Sequence, residues 1–153
     1  MASGLATIKL RHQDALKKDD KFNNIYFTTR GGTLDLNGHS QKFQRIAASD
    51  AGTVVTNTAN TRADLDLTLP TWKYAYHGRF TEGLNVNVKF DSEASSADKF
   101  EKRHLILDGG MSIHGDMTVK NARVTMQGLP TRHAIQGKQK CHTPGVILSL
   151  IHI

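Results

Sequence analysis

Hydrophobic residues recur at every second position along much of this chain, the period of a strand with one buried face. In Thr33-Leu34-Asp35-Leu36 the apolar positions are Leu34 and Leu36, and Phe43 and Ile46 resume that side. Leu65, Leu67 and Leu69 alternate with Asp64, Asp66 and Thr68, and Leu84, Val86, Val88 and Phe90 with Asn85, Asn87 and Lys89. After a polar gap come Leu105 and Leu107, Met111 and Ile113, Met117 and Val119, and Val124 and Met126. Turn chemistry separates the runs: Gly31-Gly32, Asn37-Gly38, Asp50-Ala51-Gly52, Asp108-Gly109-Gly110, His114-Gly115-Asp116 and Lys120-Asn121. Asn37-Gly38 tolerates positive φ and turns the chain sharply. No segment from Leu105 to Met126 sustains a 3.6-residue pattern over the length a helix needs. The pattern predicts an all-β chain of short strands and quick turns.

Two architectures suit that grammar. One is an antiparallel sandwich or barrel, which the Asn-Gly turn taken alone favours. The other is a parallel β-helix, in which each coil stacks on the last and buries a row of inward side chains. Three strand pieces with tight corners, followed by a return to similar chemistry, describe one coil of a solenoid. The chain has no strict sequence period, so the pattern leaves both open.

The segment GGTLDLNGHSQKFQRIAASDAGTVVTN, residues 31 to 57, resembles the passenger region of the immunoglobulin A protease and Hap type of serine-protease autotransporters. There an L-x-L-N-G-x-x-x-x-F strand precedes R-I-x-A-x-D-x-G-x-x-V-T-N. LILDGGMSIHGDMTVKNARVTMQGLPTRHA, residues 105 to 134, is similar to that family's later G-x-x-x-G-D-x-x-V segment ending in Q-G-x-P-x-x-H-A. The resemblance covers roughly residues 21 to 135. It implies a right-handed parallel β-helix stalk, secreted across a Gram-negative outer membrane and exposed outside or on the cell surface. It also implies two partners in the parent chain, an upstream chymotrypsin-like protease domain and a downstream outer-membrane barrel. The family's nucleophile lies in G-D-S-G-S, which this sequence lacks: Gly115-Asp116 is followed by Met117. The family's catalytic histidine and aspartate precede that serine. The expectation is a non-catalytic stalk segment with no catalytic, cofactor or metal residue of its own.

Composition narrows the remaining choices. The 153 residues fit one domain with a core. A single cysteine, Cys141, excludes an internal disulfide. The start lacks the pattern of a signal peptide and no apolar run reaches membrane-helix length, so a secreted protein of this sequence reads as a fragment. The net charge of +6 is dispersed, with Lys17-Lys18 answered by Asp19-Asp20, and Lys99, Lys102 and Arg103 by Asp98 and Glu101. Phosphate binding wants a contiguous basic stripe with stacking aromatics, so nucleic acid is not expected as a partner.

Candidate chemistry is sparse. None of the histidines (His12, His39, His77, His104, His114, His133, His142 and His152) stands at H-x-x-x-H or C-x-x-C spacing, and they read as surface or corner residues. His114-Gly115-Asp116 reads as a turn, and Ser49-Asp50 lacks the glycine frame of a nucleophile elbow. The aspartates of ADLDL and LILDGG lack the nonapeptide repeat of calcium-binding solenoids. Trp72, Tyr74 and Tyr76 alternate, either as an exposed aromatic strip or as core and edge cover.

The expected organisation is a lead-in at residues 1–20 with an incomplete coil and a β-helix segment at 21–135. Residues 71–90 form an outward strand pair around His77-Gly78 or a further coil. A polar loop insertion lies at about 91–102, DSEASSADKFEK, and a tail at 136–153 reads as non-native or disordered. Three functions follow. The family implies a stalk that presents the protease, folds progressively to aid secretion and contributes adhesive surface toward host proteins or glycans. The second is a small all-β domain binding a carbohydrate or protein. The third, a polysaccharide-cleaving β-helix enzyme, needs clustered Asp, Lys or Arg on one face, where the sequence offers outward Asp64 and Asp66.

Overall fold

Parallel pairing decides between the two architectures. The computed structural model describes residues 6–16, 24–69, 73–90 and 103–127, with the backbone of 131–132, 141–142 and 150–152. Its strands in chain order are β1 (Thr7–Lys9), β2 (Asn24–Phe27), β3 (Gly32–Asp35), β4 (Gln41–Phe43), β5 (Arg45–Ala48) and β6 (Thr53–Asn57). There follow β7 (Ala63–Leu69), β8 (Tyr74–Tyr76), β9 (Arg79–Glu82), β10 (Leu84–Phe90), β11 (His104–Leu107) and β12 (Met111–Ile113). The series ends with β13 (Met117–Lys120), β14 (Arg123–Met126), β15 (Thr131–Arg132), β16 (Cys141–His142) and β17 (Leu150–His152). The first sheet runs β1-β3-β6-β9-β12, the second β4-β7-β10-β13, and the third β8-β11-β14-β17. β2 and β5 form a further parallel pair, with β5 lying beside β8. Neighbours in the first two sheets are parallel and non-consecutive, so the chain passes once round all faces before it returns. That is a β-helix. The lead-in is already part of it, since β1 pairs with β3; its coil has strands for two faces among the described residues, β1 and β2.

Residues 71–90 are a further coil rather than an outward hairpin: β8, β9 and β10 each join a different parallel sheet. The loop expected at about 91–102 and Trp72 lie outside the described residues. In the 136–153 segment the pairing changes sense. β17 lies antiparallel on β14, and β15 pairs antiparallel with β16.

Inward rows form the core. In the second sheet Leu65, Leu67 and Leu69 register with Val86, Val88 and Phe90, and all six are buried. Each stacks apolar side chains coil upon coil and removes them from water. In the first sheet Ile8, Leu34, Val55, Phe80 and Met111 register in turn. Leu34, Val55 and Phe80 are closed off from solvent, whereas Ile8 at the row's end is 62% exposed. At the corner between third and first sheets, Tyr76 stacks on Phe80 with centroids 4.9 Å apart and planes at 11°. Burial pushes the Tyr76 hydroxyl far above its ordinary pKa, with Tyr74 adding to the shift.

Buried polar groups hold the corner between first and second sheets. Asn37 (φ 48°) and Gly38 (φ 82°) take the left-handed backbone the turn requires. Asn37 Nδ2 donates to the Leu10 carbonyl (2.8 Å), and the Gly38 amide donates to Asn57 Oδ1 (2.7 Å). Asn57 Nδ2 donates onward to the carbonyls of Thr61 and Gly83, both at 2.8 Å. The coils are thereby stitched through side-chain amides where the ladders stop.

Asp35 is the acidic counterpart of that corner. Its carboxylate accepts from the Thr58 hydroxyl (2.6 Å), the Thr58 amide (3.1 Å) and the Asn37 amide (2.9 Å), with Lys9 Nζ at 3.6 Å. Burial alone would raise this carboxyl; the hydrogen bonds from Thr58 and Asn37 and the charge of Lys9 outweigh it and hold the pKa below its ordinary value. A carboxyl depressed by folding contributes stability that is complete above its unfolded pKa of about 3.9 and is lost as pH falls through the lower folded value. Urea titrations of the protein and of Asp35→Asn from pH 7 to pH 2 are expected to show the stability gap between them closing only in that acid window.

Candidate functional site

The face that carries most chemistry is the outside of the second sheet. Alternation in β7 and β10 turns Leu65, Leu67, Val86 and Val88 inward and therefore Asp64, Asp66, Thr68, Asn85, Asn87 and Lys89 outward. Register then fixes the neighbours. Asn85 Nδ2 donates to Asp64 Oδ1 (2.8 Å), and Asn87 Nδ2 donates to Asp66 Oδ1 (2.7 Å). The Ser40 hydroxyl accepts the Asp64 amide (2.9 Å), and Asn85 Oδ1 accepts the Asp116 amide (3.2 Å). On β4, Lys42 lies opposite Asp66; on β13, Thr118 and Lys120 lie opposite Asn87 and Lys89. Lys42, Asp66, Asn87, Lys89 and Lys120 line a shallow groove of ≈ 270 Å³.

Asp64 and Asp66 stand on adjacent outward positions of one strand, as expected, and each carboxylate is tied by an asparagine of the next coil. The amide partners make this pair a structural ladder between neighbouring coils. The lysines form the rest of the face.

The second cluster is a corner. His77 Nδ1 lies 2.7 Å from both Oδ1 and Oδ2 of Asp108, one coil further on. Gly109 packs so closely beneath it that a Cβ would collide with the carbonyl oxygens of His77 and Gly78. The His77–Asp108 contact ties two coils together. His104 departs from the reading of the histidines as surface or corner residues: it sits within β11, 8% exposed, with Nε2 2.7 Å from the Thr125 hydroxyl. His12 and His114 are exposed and stand 3.9 Å from Asp14 and Glu82. His39 lies in the turn after β3, and the side chains of His133, His142 and His152 lie outside the described residues. No group of His, Cys, Asp or Glu among the described residues is arranged to hold a metal. The expected His114-Gly115-Asp116 turn is present between β12 and β13, and Ser49-Asp50 forms a turn in which Asp50 Oδ1 accepts the Gly52 amide (2.6 Å). Of the alternating aromatics, Tyr76 is core and Tyr74 is half-buried against it.

Comparison with known proteins agrees with this geometry. No protein-family profile matches the chain. It is 40% identical over 149 residues to the serine protease EspC of Escherichia coli O127:H6, covering 96% of this chain and 11% of that protein. It is 43% identical over 130 residues to the serine protease sat autotransporter of Escherichia coli O6:H1, covering 85% and 10%. The adhesion and penetration protein autotransporter of Haemophilus influenzae is 33% identical over 152 residues, covering 88% and 10%. Among solved structures, the passenger domain of plasmid encoded toxin, an autotransporter enterotoxin from enteroaggregative Escherichia coli, superposes with a TM-score of 0.64. It is 34% identical, with 90% of this chain and 14% of that one covered. The chain thus spans about a tenth of the length of the curated relatives it matches. Passenger regions are the exported part of autotransporters, so its place is outside the bacterial cell or on its surface. With parallel coils, a stacked apolar core and these relatives, the chain belongs to the passenger β-helix region of the serine-protease autotransporters.

Proposed function

We propose that the chain is a non-catalytic stalk segment of a secreted serine-protease autotransporter, one that presents the protease domain, aids secretion by stepwise coil formation and contributes adhesive surface. In this reading the partners within the parent chain are an upstream protease domain and a downstream outer-membrane barrel. On the same reading, residues 21–135 are the stalk proper, entered through 1–20 and followed by a tail at 136–153. The observation that carries the reading is the first-sheet row, continuous from Leu34 to Met111 and open at Ile8, where a core position of the stack is left 62% exposed. A preceding coil of a longer stalk would close it.

The test uses a full-length autotransporter carrying this segment. Residues 54–78 run from Val54 to the residue before its register partner Arg79, so deleting them removes one coil and keeps the pairing. Export and surface display are expected to survive that deletion and to drop several-fold with Leu67→Asp, which puts a charge into the core. Equal loss from both changes, or from neither, would overturn the stalk reading.

A further inference from the structure

We propose that the groove on the second sheet is an anion site for a linear polyanionic glycan, whose carboxylate or sulfate groups are held by Lys89 and Lys120, with Lys42 further along the same face. Lys89 and Lys120 are directly opposite each other on β10 and β13, and both are exposed. Adjacent strands lie about 4.8 Å apart, and like charges directly opposite are destabilising. Other cross-coil neighbours are complementary, among them Asn85 with Asp64, Asn87 with Asp66, Thr81 with Thr56, and Thr125 with His104. Among the described residues neither Lys89 nor Lys120 has a carboxylate partner. An anion set between the two ammonium groups converts that repulsion into attraction.

The rest of the groove suits a sugar chain. Asp66 and Asn87 offer acceptors to hydroxyl groups, and Thr68 and Thr118 are also on the groove's lining. From β4 to β13 there are three strand spacings, roughly 14 Å, so the three lysines are spread along the coil axis as a polymer would need. Single-stranded nucleic acid is disfavoured because the groove lining has no aromatic side chain for base stacking. A bilayer is disfavoured because, among the described residues, the exposed large apolar side chains, Ile8 and Tyr26, belong to other sheets.

This inference deepens the adhesive part of the stalk reading. The experiment measures binding of a labelled heparin-derived oligosaccharide to the 153-residue chain by fluorescence anisotropy at about 0.15 M salt, where screening is physiological. The protein is expected to bind saturably, more weakly as salt rises, and more weakly to the desulfated oligosaccharide, which keeps only its carboxylates. Lys89→Glu with Lys120→Glu is expected to weaken binding by about tenfold or more, equivalent to about 1.4 kcal/mol. Lys73→Glu with Arg11→Glu, the same charge change at exposed positions outside the groove, should weaken it far less. Lys89→Glu alone places opposite charges face to face, so it should lose affinity while melting at or above the parent temperature. That separates lost binding from lost folding. No saturable binding, equal loss in both double variants, or preference for single-stranded DNA or phosphatidylserine vesicles would overturn the proposal. Because export is not measured here, failure of the groove leaves the stalk test untouched, and failure of the export test leaves the groove standing.

Discussion

Phe80→Ala is expected to destabilise the protein by about 3–5 kcal/mol, the range for truncating a fully buried aromatic. Phe80 is 1% exposed, sits in the first-sheet row between Val55 and Met111, and stacks on Tyr76. The cavity would lie inside the stack with rigid neighbours on both sides, so little collapse is available to offset it. Because a solenoid is held by nearest-neighbour interfaces, the loss should also divide the cooperative unit. Urea unfolding followed by fluorescence and by hydrogen exchange is expected to give two non-coincident transitions where the parent gives one. Tyr76→Phe provides the contrast. The Tyr76 hydroxyl is buried with no hydrogen-bond partner among the described residues, so its removal should be neutral or mildly stabilising.

Asn57→Ala is the second large effect, expected at about 2–4 kcal/mol. Its side chain, 1% exposed, accepts from Gly38 and donates to Thr61 and Gly83, groups on three successive coils. Alanine would take this partner from the Gly38 amide and the Thr61 carbonyl and leave the Gly83 carbonyl only the Ala63 amide, and unpaired buried groups cost more than a hydrogen bond contributes. The check is chemical denaturation together with exchange of the Gly38 amide, which should lose protection ahead of the strands. Unchanged protection at Gly38 would mean that water or a shifted neighbour takes over the contact.

Much of the fold was legible in the sequence. Strict alternation in 63–69 and 84–90 named the inward rows, and the Gly-Gly, Asn-Gly and Asp-Gly-Gly punctuation placed the corners. The coil step was not legible. It is 21 positions from Asp64 to Asn85, 25 from Thr56 to Thr81 and 31 from His77 to Asp108. Corners absorb the differences while strands stay in register, so no single period survives in the sequence. For the same reason the outward partners were hidden. Asp64 and Asp66 were recognised as outward, but the asparagines that tie them become neighbours only once the step is known. The Lys89–Lys120 opposition was missed because the residues that separate them in sequence include a polar insertion, which made their faces look unrelated. His104 was misread because polar residues are usually exposed; Thr125 on the next coil supplies the hydrogen bond that lets it be buried.

Unequal steps also have a mechanical consequence. A chain coiled on itself resists tension applied at its two ends one turn at a time, since only the terminal turn bears load in the direction that peels its hydrogen bonds. Each turn that lets go pays out its own contour, about 3.4 Å for every residue. Along the first-sheet row the successive turns from Leu34 to Val55, to Phe80 and to Met111 hold 21, 25 and 31 residues and would then lengthen the molecule by roughly 70, 85 and 105 Å. Under flow across a tethered surface, the segment would act as an extensible cable whose give is graded along its length, with the longest release in the turn from Phe80 to Met111.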